Sequence, residues 1–263
     1  MEHPTPYPEV NALLKQVQIE TQAILGSAFT GLYLYGSLAA GGFDPVRSDI
    51  DFLVVTEGEL GEATILALRQ MHARIAESGL PLATELEGSY IPRQALRRYD
   101  PEDARHPHLE RGGILVVEQH DSDWIIQRHV LRERGVTAAG PDLRTLIDPV
   151  SPDELRGAAL ATLHEWWAPM IQNPFRLDEP GYRAYAILTM TRILYTLEHG
   201  AVVPKPAAAR WAQSALGEPW AALIRQANAW PQESHPGSVK EAQDFIRYAL
   251  DRGQRLEAGS GDI

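Results

Sequence analysis

The feature that most constrains the fold is a change in the pattern of apolar residues near residue 150. Before it, short runs of β-branched and aromatic residues alternate with longer runs of helical periodicity, which predicts a sheet packed with helices. After it, each periodic run has helical spacing. The sequence therefore predicts an α/β domain over residues 1–150 and an all-helical bundle over residues 151–263.

The first half is predicted to contain two helices and three strands. The helices are expected over residues 8–27 and 60–78, and the strands over residues 31–35, 49–56 and 84–91. Residues 112–119 and 123–131 carry mixed signals that suit either a strand or a helix.

The second half begins with strong helix signals. Ser151-Pro-Asp-Glu154 has the pattern of a capping box with proline at the first helical position, and Gly200 stands where a glycine stop belongs. Five helices are expected, over residues 152–170, 180–198, 206–216, 219–229 and 238–256.

Two acidic residues interrupt the apolar run of the second predicted strand. Its period of two places Asp49 and Asp51 on one face and Ile50 and Phe52 on the other. Neighbouring carboxylates on a buried strand repel each other, and a divalent cation is the simplest compensation. Oxygen ligands suit Mg²⁺, which usually takes one or two carboxylates plus substrate phosphates.

Residues on either side of this pair suggest phosphate chemistry. Gly36-Ser37 ends the first strand, where glycine lets the backbone approach a phosphate and a new helix would offer free N–H groups. Glu85 and Glu87 share a face of the third predicted strand, and either can join the aspartates if the two strands are neighbours. In-line transfer at phosphorus needs a metal to neutralise charge and backbone donors to position the leaving group, and these residues can supply both.

Composition removes several other classes of function. The chain has no cysteine, which excludes thiol catalysis and thiolate metal centres. Its net charge of −11 disfavours nonspecific electrostatic binding to nucleic-acid phosphates. The sequence has neither a signal-peptide pattern nor the roughly 18 consecutive apolar residues of a membrane span. We expect a cytoplasmic monomer that binds neither nucleic acid nor membrane.

With these motifs in place, the sequence resembles a known superfamily. The run YGSLAAGGFDPVRSDIDFLVV is similar to the active-site signature of nucleotidyltransferases with the polymerase β-like fold. Across most of residues 10–255 the chain resembles the aminoglycoside (3'')(9) adenylyltransferases. That likeness includes GPDLRTLIDPVSPDEL, the helix from Arg192 to Tyr195 and the turn that ends at Lys205.

The resemblance implies a mixed sheet with helices, followed by a helical bundle. It also implies Mg²⁺-dependent transfer of AMP from ATP to a hydroxyl of an aminoglycoside or aminocyclitol. The implied roles are Mg²⁺ binding by Asp49 and Asp51, triphosphate binding by Gly36, Ser37 and Ser48, base catalysis by Glu87, and ATP contacts from the helical domain by Arg192 and Lys205. Glu85 is the alternative base.

Two positions bear on the acceptor. Relatives that accept both streptomycin and spectinomycin hold streptomycin with a tryptophan and an aspartate; the aspartate corresponds to Asp178, but no tryptophan occurs at 109–112. A further family aspartate is replaced by Tyr182. The incomplete set counts against streptomycin and leaves spectinomycin or another hydroxyl acceptor. Alternatives are AMP transfer to a protein hydroxyl and a non-catalytic nucleotide sensor.

Two further clusters have competing interpretations. The segment from His120 to Trp124, with His129 nearby, suits a second metal or acceptor site, but a loop that caps the next helix is favoured. Trp166 and Trp167 can stack on a ligand, but a place in the interdomain core is favoured for one of them.

Overall fold

A single sheet dominates the first half of the protein in this computed structural model, which describes residues 3–45, 48–232 and 235–260. Its strands are β1 Phe29–Leu34, β2 Ile50–Thr56, β3 Leu86–Pro92, β4 Arg105–Glu110, β5 Ile114–Gln119 and β6 Val136–Ala139, in the order β5-β4-β3-β2-β1-β6. β2 and β3 run parallel, and the other neighbouring pairs are antiparallel. The predicted mixed sheet is confirmed.

Helices alternate with the strands along the first half of the chain, and the second half is helical. Those before residue 150 are α1 Pro8–Leu25, α2 Gly36–Ala39, α3 Glu62–Ala76, α4 Arg93–Arg97, α5 Asp123–Arg134 and α6 Leu143–Leu146. Those after it are α7 Pro152–Thr162, α8 Pro180–His199, α9 Lys205–Ala215, α10 Trp220–Ala229 and α11 Val239–Ser260.

The two ambiguous segments resolve into one strand, β5, and one helix, α5. The sequence did not predict β4 or β6. β4 has the sequence Arg-His-Pro-His-Leu-Glu, which lacks a strand-like apolar pattern, and β6 has only four residues.

One face of the sheet packs on α1 and α3. The apolar residues of these helices, such as Leu13 and Met71, enclose Phe52 of β2 in a buried cluster. Full burial of each such side chain stabilises the fold by roughly 1.5–3 kcal/mol. Because strand side chains alternate, this packing directs Asp51 and Glu87 to the opposite face.

Contacts within the chain divide it into two units. The first contains residues 1–120 and 127–149, and the second contains residues 121–126 and 150–263. The change of unit at Pro149 falls where the apolar pattern changes. The sequence did not indicate that the short segment 121–126 joins the second unit, where Ile126 packs against the helical core.

The second unit is built around α8, against which α7, α9, α10 and α11 pack. Its first helix begins as predicted, because Ser151 and Glu154 form both hydrogen bonds of the capping box. Gly200 ends α8 in the left-handed conformation.

The predicted helix over residues 152–170 is not regular throughout. α7 ends at Thr162 and is followed by a π turn, Leu163–Trp167, and a 3₁₀ turn, Ala168–Ile171. Pro169 explains the change, because it has no N–H to donate and its ring clashes with the carbonyl four residues earlier. Among the described residues, no helix is both long and apolar enough to cross a membrane.

Candidate active site

The centre of the candidate site is a pair of carboxylates on neighbouring strands. β2 and β3 pair in a register that sets Asp51 directly beside Glu87. Strands in a sheet lie about 4.8 Å apart, so the two side chains leave the same face close together. Both residues are half-buried. The sequence had left open whether these strands are neighbours, and the structure shows that they are.

The electrostatics of Glu87 differ from those of a solvated carboxylate. Burial, helped by the charges of Asp49, Glu110 and Glu118 and opposed by Arg111, raises the pKa of Glu87 to about 7. A carboxyl with a pKa near neutrality can both accept and release a proton at physiological pH. The surroundings of Glu87 therefore suit a general base.

Gly36 brings the backbone against Asp51. Its φ is +59°, and a Cβ atom at this position would collide with the Asp51 carboxylate. The preceding residue, Tyr35, donates its N–H to the Asp51 carbonyl oxygen at 3.2 Å. Glycine is thus required both by the backbone conformation and by the close approach.

The two serines predicted to hold phosphate differ in their contacts. The Ser37 hydroxyl is buried and has no hydrogen-bond partner within the described part of the chain, a costly arrangement that a ligand oxygen would relieve. The Ser48 hydroxyl accepts the N–H of Asp44 at 3.0 Å and closes a turn. Ser48 therefore shapes the loop before Asp49 and keeps a hydroxyl proton to donate.

The carboxylates also bear on metal binding. No group of three or more His, Asp or Glu side chains in the described ranges is arranged to hold a metal ion. Asp49 and Asp51 supply two oxygen-donor side chains, the number that Mg²⁺ commonly takes from a protein when substrate and water complete its octahedron. The donor set fits magnesium bound together with a phosphorylated substrate.

Glu85 is placed differently from the prediction. The expected third strand included it, but residues 83–85 form a 3₁₀ turn and β3 begins at Leu86. The Glu85 carboxylate is ion-paired with Arg111 and accepts a hydrogen bond from the Thr84 hydroxyl at 3.0 Å. Of the two glutamates, only Glu87 lies in register with Asp51.

In the helical unit, the two predicted ATP-binding cations lie near one aromatic ring. The Lys205 ammonium is 4.4 Å from the centroid of the Tyr185 ring. Burial of its hydroxyl raises the pKa of Tyr185, and the neighbouring Arg192 guanidinium lowers it. Tyr185 was not predicted from the sequence, although its spacing of seven residues from Arg192 on α8 places both on one face.

The two proposed acceptor residues lie close in sequence at the start of α8. Asp178 is exposed at the end of a 3₁₀ turn, and its carbonyl oxygen accepts a hydrogen bond from Arg183. The Tyr182 hydroxyl accepts the indole N–H of Trp166 at 3.2 Å. The Arg176 guanidinium covers the Trp166 ring at 4.9 Å and the Tyr182 ring at 5.8 Å, so aromatic and cationic groups surround Tyr182.

The segment from His120 to Trp124 divides between the two units. His120 packs with His106 and His108, with ring centroids 5.2 Å and 6.1 Å away, in the first unit. Asp123 begins α5 and accepts backbone hydrogen bonds there, in agreement with the capping interpretation. Burial, together with Asp121 and Glu165, raises the pKa of Asp123 to about 7.

The paired tryptophans also separate. Trp167 is 1 % exposed and belongs to the core of the helical unit. Trp166 is 41 % exposed. The π turn that holds both residues directs the two rings to different surroundings.

Comparison with known proteins shows the family of this chain. Residues 23–104 match the family model of the nucleotidyltransferase domain, and residues 145–252 match that of the aminoglycoside adenylyltransferase C-terminal domain. The protein is therefore a nucleotidyltransferase, an enzyme. An aminoglycoside (3'')(9) adenylyltransferase of Escherichia coli is 30 % identical over 257 residues, 91 % of this chain and 93 % of the relative. The chain belongs to the aminoglycoside (3'')(9) adenylyltransferase family.

Two further relatives are informative. A spectinomycin 9-adenylyltransferase of Campylobacter jejuni is 26 % identical over 89 % of this chain and 92 % of its own length. The crystal structure of the spectinomycin adenyltransferase AAD(9) from Enterococcus faecialis, with ATP and spectinomycin, matches with a TM-score of 0.72 and 20 % identity. The matched region covers 92 % of this chain and 98 % of the Enterococcus chain, and the match confirms the predicted fold.

Proposed function

We propose that this enzyme transfers AMP from ATP to a hydroxyl of an aminocyclitol such as spectinomycin, with Mg²⁺ held by Asp49 and Asp51. The observation that carries the proposal is the register that sets Asp51 beside Glu87, with Gly36 against the same carboxylate. A metal-binding acid, a candidate base and a close backbone approach thereby meet at one place on the sheet. We include in the proposal that the enzyme is a cytoplasmic monomer.

The roles of the residues follow from their chemistry. When bound, Mg²⁺ neutralises phosphate charge and orients the triphosphate. Gly36, the buried Ser37 hydroxyl and Ser48 bind phosphate oxygens, and Arg192 and Lys205 add positive charge. Glu87 takes the proton of the acceptor hydroxyl as its oxygen bonds to the α-phosphorus and the bond to the pyrophosphate oxygen breaks.

The choice of acceptor draws on the relatives and on two residues. The named relatives act on spectinomycin or at the 3'' and 9 positions of aminoglycosides. We propose that Asp178 and Tyr182 contact the acceptor. Because Trp166 and Arg176 engage Tyr182, that position offers an aromatic surface and no carboxylate, which favours spectinomycin over the strongly cationic streptomycin.

A matched pair of glutamate variants tests the proposal. Pyrophosphate release is measured with Mg²⁺, ATP and a panel of aminocyclitols and aminoglycosides. Glu87→Gln is expected to lower kcat by about 10²–10⁴-fold with spectinomycin, as is usual for loss of a general base. Glu85→Gln removes a carboxylate two residues away that pairs with Arg111, and it should retain most activity.

Two outcomes would contradict the proposal. Equal activity of wild type and Glu87→Gln would exclude Glu87 as the base. ATP binding without pyrophosphate release on any acceptor would favour a nucleotide sensor. Labelled ATP incubated with lysate gives a further check, because label on protein bands would indicate a protein hydroxyl as the acceptor.

A further inference from the structure

One aromatic side chain of the helical unit stands beside both cations proposed to bind phosphate. Tyr185 precedes Arg192 by seven residues on α8, so their side chains lie on one face two turns apart. The Lys205 ammonium is 4.4 Å from the Tyr185 ring centroid, within the distance of a cation–π contact. Tyr185 is 41 % exposed, so core packing alone does not account for an aromatic residue here.

Other rings support Tyr185 from within the unit. The Trp167 ring, which is buried, lies 6.1 Å from it between centroids, and the Tyr182 ring lies 5.6 Å away. Tyrosine has few rotatable bonds, and these neighbours limit them further. These contacts hold the Tyr185 ring beside Lys205.

Lys205 needs such a support. It is the first residue of α9, where unpaired backbone N–H groups already carry partial positive charge. A lysine at this end is disfavoured by the helix dipole, and its four-carbon stem has many conformations. The electron-rich face of Tyr185 attracts the ammonium and restricts where it lies.

We propose that Tyr185 is a positioning residue, whose ring holds the Lys205 ammonium where it meets a phosphate of the nucleotide. This rests on the proposed role of Lys205 in binding ATP. The ring acts on ATP binding and not on proton transfer, so its loss should raise the KM for ATP and leave kcat nearly unchanged. The contact that carries the inference is the one between the ammonium and the ring.

The test separates the ring from the hydroxyl. Tyr185→Leu removes the ring and should raise the KM and the calorimetric Kd for Mg²⁺-ATP about three- to tenfold. Tyr185→Phe keeps the ring and should match wild type. Tyr195→Leu is the matched control, because Tyr195 is on the same helix and packs on His199 and Trp211. It should bind ATP as wild type does.

A double variant tests the route through Lys205. If Tyr185 acts through Lys205, Tyr185→Leu combined with Lys205→Met binds ATP no more weakly than Lys205→Met alone. Additive losses, or equal losses in Tyr185→Phe and Tyr185→Leu, would overturn the positioning role. Unchanged ATP affinity in Lys205→Met would instead overturn the phosphate role of Lys205, and the inference with it. Tyr185→Gln is a second ring-free variant if the leucine variant unfolds.

Discussion

Single residues set the geometry of the candidate site through properties that few amino acids share. Gly36 combines a positive φ with an approach to Asp51 that leaves no room for a Cβ atom. Gly41 also has a positive φ, +71°, but a Cβ there would have no neighbour within 4 Å. Variants of the two glycines therefore separate the effect of backbone strain from that of a steric clash with Asp51, the acid proposed to bind the metal.

Gly36→Ala is expected to abolish most AMP transfer, because the added methyl group displaces the Asp51 carboxylate. Gly41→Ala carries a similar backbone cost of roughly 1–2 kcal/mol but should keep its activity. Denaturant unfolding measures the stability of both variants, and pyrophosphate release measures their AMP-transfer activity. Equal activity losses in the two variants would mean that strain alone, and not the contact with Asp51, explains Gly36.

A buried histidine of α3, the helix packed on the sheet face opposite Asp51, links stability to pH. The His72 Nε2 lies 2.7 Å from the Tyr90 hydroxyl, and the ring is 1 % exposed. Burial lowers the pKa of His72 to about 3 from an ordinary value of 6.5. The folded state therefore binds this proton less readily than the unfolded state does.

Stability should consequently fall as the pH drops from 6.5 towards 3, since the proton binds preferentially to the unfolded chain. The contribution of His72 is complete above pH 6.5 and is lost at up to about 1.4 kcal/mol per pH unit below it. His72→Gln should show a shallower decline of the free energy of unfolding, and the exposed His164→Gln should follow wild type. An identical decline in all three proteins would exclude His72 as the cause.

At the scale of elements, capping boxes mark the starts of two helices in the second unit, α7 and α11. Ser151 accepts the N–H of Glu154 at 3.2 Å while the Glu154 carboxylate accepts the Ser151 N–H at 2.8 Å. Ser238 and Glu241 repeat the same exchange at the start of α11. Such caps act within four residues, so they can be recognised from the sequence.

Ser151→Ala should lower stability by about 1 kcal/mol, because the N–H of Glu154 loses its acceptor. Ser214→Ala is the matched control, since the Ser214 hydroxyl is exposed and its bond within the described ranges is to the carbonyl of Arg210 in its own helix. Thermal unfolding compares the two variants, and AMP transfer should persist in both. A control that melts as early as Ser151→Ala would rule out the cap as the source of the loss.

At the scale of the whole molecule, ligand binding should stabilise the folded state. A ligand that binds only the native protein adds about 2.7 kcal/mol at 100 times its Kd. Mg²⁺ with ATP should therefore raise the Tm, whereas ATP with a chelator should have a smaller effect. Asp51→Asn should lose the difference between the two conditions. If the variant keeps the full Mg²⁺-dependent shift, Asp51 does not bind the metal.

The sequence was sufficient for several features of the fold. The change in periodicity near residue 150 predicted a mixed region followed by helices, and the structure has its strands before that point. The sequence pointed to the candidate site through the spacing of Asp49 and Asp51 and through Gly36, and the roles of these residues stay predictions. The likeness to a family supplied the roles of Arg192 and Lys205, which as isolated charges carry no local signal.

What the sequence determined by itself depends on residues close together in the chain: helical and strand periodicity, the capping boxes and the glycine stop at Gly200. The tertiary structure decided which strands pair, that Glu87 and not Glu85 lies beside Asp51, and that Lys205 rests on Tyr185. Caps and periodicities act over about four residues. Strand register and helix packing are set only when the whole chain buries its apolar faces together.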